Sequence, residues 1–200
     1  MDRKFRCTWV DPTWDLIVQY HDTEWGVFTD NDQKLFEFIV LESFQAGLSW
    51  AIILKKRENF RKAFDNFDPK CISKYQEKKI NLLLSDLGIV RSRAKIEATI
   101  SNAKSFLRIQ EEFGSFANYM LSFTNGKIIN GRENPNVLHE LSVKVSKDLR
   151  HRGFKFMGPT TTEAFLQAVG IVDNHDSCCY KAINNIQTKE GEKHVLSGNK

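Results

Sequence analysis

Apolar positions recur along this chain at the spacing of helices. Leu35, Phe38, Ile39 and Glu42 fall at i, i+3, i+4 and i+7, with Asp32 just ahead as the expected N-cap. Ile80, Leu83, Leu84 and Leu87 form a second stripe, which predicts a helix closed by Gly88 in the left-handed conformation. A third stripe runs through Ile96, Ile100, Ala103 and Leu107, leaving Arg93, Lys95, Lys104 and Arg108 on other faces. Thr160 to Glu163 reads as a capping box that opens a helix carrying Phe165, Ala168 and Val169. Strand-like alternation is confined to the short stretch 126–130. The pattern predicts an all-α fold, with a poorly periodic, tryptophan-rich segment at 1–31 and a polar, flexible tail at 187–200.

At 200 residues, with about 150 per domain as a guide, the chain makes one domain. Hydrophobic residues at 41% and charged residues at 27% allow a real core and argue against disorder. No apolar run reaches the roughly 18 residues of a membrane span, and MDRKFRCTWV lacks the apolar centre of a signal peptide, so a cytoplasmic protein without membrane contact is expected. Charge is unevenly spread: residues 51–110 hold 14 basic and 6 acidic groups, a local +8, against 4 basic and 9 acidic in residues 1–50. A basic middle points weakly to a polyanion, the alternative being a solvated helix face.

Cys7, Cys71, Cys178 and Cys179 are a poor disulfide framework. His175 and Cys179 stand at H-x3-C, one helical turn apart, and Cys7 and His21 form a second cluster near the N-terminus. Together they would supply Cys2His2, a closed set suited to structural zinc with no position left for a reacting water. Cys178 competes for the fourth place, but H-x2-C converges less easily on a helix. From spacing alone the alternative is reduced core thiols beside capping or surface histidines. Cys71, in a basic segment remote from both clusters, is expected in the core.

Glu42 lies within an apolar stripe, where an unpaired carboxylate is costly or shifts its pKa upward. Trp50 follows eight residues on, and Tyr20 to Trp25 adds more aromatics. A pocket of this make-up suits a flat, cationic or electron-poor heteroaromatic. The plainer reading is a glutamate at the edge of a buried stripe, satisfied by an arginine. The stretch Leu83–Lys95 reads as helix, glycine turn, helix, which presents backbone N–H groups to a phosphate, with Arg91, Arg93 and Lys95 as positioning charges. Gly88 could equally be a simple helix stop.

Taken in order, RCTW (6–9), YHDTEWG (20–26), LESFQAGLSW (41–50), LKKRENFRKAF (54–64), GIVRSRAKI (88–96), SKDLRHRGFKFMGPT (146–160) and DNHDSCC (173–179) resemble the 3-methyladenine DNA glycosylase I family of the helix-hairpin-helix glycosylase superfamily. The resemblance implies a monomeric base-excision repair enzyme that flips out and hydrolytically releases 3-methyladenine from alkylated double-stranded DNA. It implies Glu42 as the catalytic carboxylate and Tyr20, Trp50, Trp9 and Trp25 as base-binding residues. It further implies Gly88, Val90, Arg91, Arg93 and Lys95 as DNA-binding residues, and one structural zinc on Cys7, His21, His175 and Cys179. The implied domain spans 1–186, with 1–31 and 146–186 joined by the metal around a central helical part, 32–145, that carries the hairpin 83–96. Two positions depart from the family pattern: Ile17 and Glu163 stand where members often carry tyrosine. The superfamily's usual catalytic aspartate is absent from this family.

Overall fold

The computed structural model describes residues 4–182, so the expected tail 187–200 and the last residues of the expected domain, 183–186, lie outside the described residues. Helices dominate. The second of them, α2 (Asp32–Gln45), is the centre of the molecule. Every residue from Leu35 to Phe44 is buried, Glu37, Glu42 and Ser43 included, so the expected one-sided stripe is instead an axle wrapped on all sides. Around it pack α3 (Trp50–Ala63), α6 (Arg93–Phe113), α7 (Phe116–Ser122) and α9 (Pro159–Ala168). Phenylalanines weld these helices, with ring centroids 5.0 Å apart for Phe36–Phe106, 4.9 Å for Phe44–Phe60 and 4.3 Å for the stacked Phe106–Phe116 pair.

Buried charge ties α1 (Asp15–Thr23) and its exit to this core. Arg57 of α3 grips Glu24 with both terminal nitrogens, at 2.9 and 2.8 Å, and donates its Nε to Glu37 of α2 at 2.7 Å. Burial alone would lower the Arg57 guanidinium, but these two carboxylates outweigh it and raise it further. The arginine expected as a partner for a buried glutamate therefore serves Glu24 and Glu37, and not Glu42.

Asp32 has a different task from the one its position suggests. Asn31 is the N-cap of α2 and accepts from the Lys34 amide at 3.0 Å. The Asp32 carboxylate instead accepts from the Phe116 and Ala117 amides, at 2.8 and 3.0 Å, and from Gln110 Nε2 at 2.6 Å. It thus caps α7 across the fold, meeting donors that have no partner within their own helix. Asp32→Ala leaves these donors unsatisfied, and urea unfolding is expected to show a loss of about 2 kcal/mol.

Three further local expectations are corrected. The capping box at 160–163 does not form: α9 begins at Pro159 with Gly158 as its cap and no side-chain cap bond, because proline fits the first helical position. Gly88 does not end a helix in the left-handed region; α5 (Glu77–Ser85) ends at Asp86, whose side chain accepts from the Gly88 amide at 2.7 Å. Cys71, in the short α4 (Pro69–Ile72), is exposed and donates to Asp68 at 3.2 Å rather than entering the core.

Sheet is limited to two short parallel strands, β1 (Ile129–Asn130) and β2 (Val172–Asp173), in the register Ile129–Val172 and Asn130–Asp173. The pair sits just before His175 and fixes the direction from which that residue arrives. The expected boundary at 145/146 falls inside α8 (Pro135–His151), a continuous helix that packs on α9.

Candidate functional site: an acid among aromatics beside a four-ligand cluster

Between the N-terminal segment, α2, α3 and α9 lies a cavity of about 210 Å³ lined by Trp9, Tyr20, Trp25, Glu42, Gln45, Trp50, Ala164 and Gln167. This is smaller than the roughly 300 Å³ lower bound for drug-sized ligands, and suits a single small heterocycle. Tyr20 and Trp50 lie against each other at 5.4 Å, and Trp9 meets Trp25 edge-on at 4.9 Å.

Glu42 is 5% exposed, and its carboxyl makes no hydrogen bond or ion pair among the described residues. Burial pushes it up to about 8, so near neutral pH the acid is largely protonated. The Trp50 indole N–H is buried without an acceptor. Burial first, and the Glu42 carboxyl second, raise the Tyr20 hydroxyl well above its ordinary range. The cavity therefore offers unused hydrogen-bonding groups on aromatic walls, an arrangement that costs stability unless a ligand completes it.

Beside it, Cys7, His21, His175 and Cys179 bring their ligand atoms within 4.8 Å of one another, all four buried. Cys178, the competitor, is exposed. The histidines are oriented from behind: His21 Nδ1 lies 2.8 Å from Asp22 and His175 Nδ1 lies 2.6 Å from Asp173, which turns both Nε2 atoms inward. His175 Nε2 is buried with no partner, and His21 Nε2 lies 3.4 Å from Cys179 Sγ. Carboxylate-backed imidazoles facing two thiols fit a tetrahedral thiophilic cation. Burial would raise Asp22, but Arg6 and His21 outweigh it and hold its carboxyl well below the usual range. Gly26, at φ +71°, admits His175: a Cβ there would come within 2.3 Å of His175 Cε1.

Cluster and cavity share walls. Trp9 packs edge-on to His21 at 5.4 Å, and Trp25 edge-on to His175 at 4.6 Å. The tryptophan-rich segment is thereby anchored by side chains from the other end of the chain.

The hairpin joins α5 to α6. Lys56 donates to the Leu87 and Gly88 carbonyls, at 2.9 and 3.2 Å, and holds the turn against α3. Leu87, expected on the apolar stripe, is 73% exposed. Val90 is half-buried and Arg91 is exposed. Arg93 braces the two helices, pairing with Glu77 at 2.7 Å and with Glu97 at 3.3 Å. Lys95 turns toward the end of α2, donating to the Phe44 and Ala46 carbonyls at 2.8 and 2.7 Å, and burial lowers its ammonium.

Sequence reasoning missed Gln45, Ala164 and Gln167 in the cavity lining. Each was within reach of a spacing argument, since Gln45 is three residues after Glu42 and Ala164 precedes Gln167 by three on α9. Asp22 and Asp173 were missed as well, although each lies within two residues of a candidate ligand. Ile17 is buried in α1 and is not among the residues lining the cavity. Glu163 accepts from Gln167 Nε2 at 3.5 Å.

Fold and site together define a helical domain of the DNA-glycosylase type, with a ring-sized pocket beside a hairpin. A family model described as methyladenine glycosylase matches residues 9–182, and the chain belongs to that family. It is 44% identical over 179 residues to a DNA-3-methyladenine glycosylase of Haemophilus influenzae, a match covering 87% of this chain and 96% of that protein. It is 42% identical to DNA-3-methyladenine glycosylase 1 of Escherichia coli K12, covering 88% and 96%. A crystal structure of 3-methyladenine DNA glycosylase I superposes with a TM-score of 0.82 at 42% identity, over 89% of this chain and all of that one. The Staphylococcus aureus enzyme, whose structure concerns 3-methyladenine recognition, gives 0.78 at 36% identity, over 84% and 90%. Among the described residues no helix is long and apolar enough to cross a membrane.

Proposed function

We propose that this protein flips 3-methyladenine out of alkylated duplex DNA and hydrolyses its N-glycosidic bond, with Glu42 as the group that recognises the base. The observation that carries the reading is the Glu42 carboxyl, buried and unpartnered in a ring-sized aromatic cavity, with the orphan Trp50 N–H beside it. Methylation at N3 gives the nucleoside a positive charge and makes the base a good leaving group. Strong acid catalysis is then unnecessary; extrusion and tight holding suffice. A cationic ring entering the cavity favours the ionised form of Glu42, which accepts from N–H donors on the adenine edge. Tyr20 and Trp50 pack against the ring, and Trp9 and Trp25 close the cavity toward the cluster. Unmodified adenine is disfavoured because its stacking and pairing are intact, it carries no charge for Glu42, and it leaves less readily.

Cys7, His21, His175 and Cys179 hold one structural zinc in this reading. Four protein ligands would leave no open position on such an ion, so these residues would use it as a fixed junction between the segments around His21 and His175, not as a source of reactive water. The hairpin grips the DNA backbone through the turn at Gly88 and Val90, with the exposed Arg91 on a phosphate, while Arg93 and Lys95 keep the turn and the end of α2 in position. The protein acts as a monomer on double-stranded DNA in the cytoplasm.

Duplex DNA treated with dimethyl sulfate, incubated with the protein and analysed for free bases by chromatography, tests the reading. Release of 3-methyladenine with 7-methylguanine retained is expected. A folded protein that binds the duplex and frees no base would make it a damage sensor instead.

A further inference from the structure

Two phenylalanines outside the site described above, Phe67 and Phe156, have a backbone that an aromatic side chain rarely adopts; Phe67 is buried in the core, whereas Phe156 is not. Phe156 sits at φ +58°, in the left-handed region, and its ring is 41% exposed. The surrounding structure holds it there. Asn102 of α6, itself buried, clamps Lys155 on both sides of the peptide, accepting from its amide at 2.7 Å and donating to its carbonyl at 3.0 Å. Ser146 donates to the Met157 carbonyl at 2.8 Å, and Ser101 and Ser105 of α6 fix the Gly153 and Arg152 carbonyls at 3.2 and 2.8 Å. So many bonds spent on presenting a large apolar ring to solvent point to a use for the ring. Its position shows which. The Lys95 ammonium lies 6.0 Å from the Phe156 ring centroid and bonds to Phe44 and Ala46, at the start of the short loop from α2 to Trp50. Phe156 therefore stands by Lys95, whose ammonium reaches from the start of α6, just after the hairpin, to the carbonyls on either side of the cavity residue Gln45, and the exposed Lys155 precedes it.

We propose that Phe156 is a DNA-contacting residue whose ring stacks against a base flanking the extruded nucleotide, with Lys155 on an adjoining phosphate. This rests on the glycosylase reading, and adds a third contact to the hairpin and the base pocket. Bolting the loop to α6, whose first turn follows the hairpin, keeps ring and hairpin at a fixed separation, so the duplex is gripped and parted by one rigid unit.

The test uses the full chain and a duplex carrying a tetrahydrofuran abasic site flanked by 2-aminopurine. Wild type is expected to bind this duplex and to change the 2-aminopurine emission through stacking. Phe156→Ala and Phe156→Gly lose about tenfold in duplex affinity, give no such emission change, and slow single-turnover release of 3-methyladenine. Phe156→Trp restores all three, and every variant binds free 3-methyladenine as wild type does. The glycine variant relieves the backbone and keeps its melting temperature, so it remains informative if the alanine variant folds poorly. Duplex affinity and emission within twofold of wild type for Phe156→Gly would overturn the proposal while leaving the glycosylase reading intact. A wild type that neither binds the duplex nor releases the base would overturn both.

Discussion

Glu42→Gln is expected to lower 3-methyladenine release by about 100-fold, since it removes an ionic hydrogen bond to the base in a water-poor cavity. The same substitution stabilises the empty protein, and the effect depends on pH. Burial raises Glu42 from 4.5 to about 8 in the folded chain. Below about pH 4.5 the acid is protonated in both folded and unfolded chains and nothing is lost. Between about 4.5 and 8 the unfolded chain gives up this proton while the folded one keeps it, so stability falls by about 1.4 kcal/mol per pH unit; above about 8 the loss is constant. Glutamine has no such proton. Thermal unfolding is expected to show almost no gain for the variant at pH 4.5, and a gain on the order of 4 kcal/mol at pH 7.5, about 8–16 °C in melting temperature. A variant less stable than wild type at pH 7.5 would mean that the carboxylate has a partner in the empty protein. Loss of activity paired with a gain in stability marks a group retained for binding rather than for folding.

The second large effect concerns the cluster. Elemental analysis of the purified protein is expected to find one zinc per chain, and Cys179→Ala to lose it. Removal of the ion leaves two buried thiols and two inward-facing imidazoles without their common partner, and unfolding experiments should register a loss of about 4 kcal/mol or more. Trp9 and Trp25 lean on His21 and His175, so binding of free 3-methyladenine should weaken in parallel, and the segment preceding α2 should become sensitive to protease. Full zinc content in Cys179→Ala, or a wild type without metal, would sink the ligand assignment.

How much of this was legible in the sequence differs by element. The helical class follows from periodicity, because Ile80 and Leu83 on α5 and Ile96, Ile100 and Ala103 on α6 lie on buried helix faces, although Leu87 falls beyond the end of α5 and is exposed. Periodicity also located α2, but it implied one buried face where the helix is buried on all sides, Glu37 and Glu42 included. Local cap rules failed at Asp32 and Thr160, since the spacing of a cap is the same whether the side chain serves its own helix or one far along the chain. The four cluster residues could be listed from spacing, but their convergence depends on β1 pairing with β2; alternation at 126–130 pointed to β1, whereas β2 is a two-residue strand with no pattern of its own. Glu42 could be singled out as an acid among apolar residues. That Arg57 would be committed elsewhere, leaving Glu42 free for a ligand, is decided only by three-dimensional packing.

The cluster also bears on the order in which the molecule is completed. Cys7 meets the Asp176 amide across 169 residues, and the Tyr180 amide donates to the Phe5 carbonyl at 2.8 Å. Chains fold from their N-terminal end as they emerge during synthesis, and contacts between distant segments close last. The helices around α2 can assemble while the segment bearing His175 and Cys179 is still inside the ribosome, but the wall formed by Trp9 and Trp25 has nothing to rest on until that segment is released. A nascent chain is therefore unable to seize a base until the segment bearing His175 and Cys179 has left the ribosome, and competence for repair arrives in a single late step.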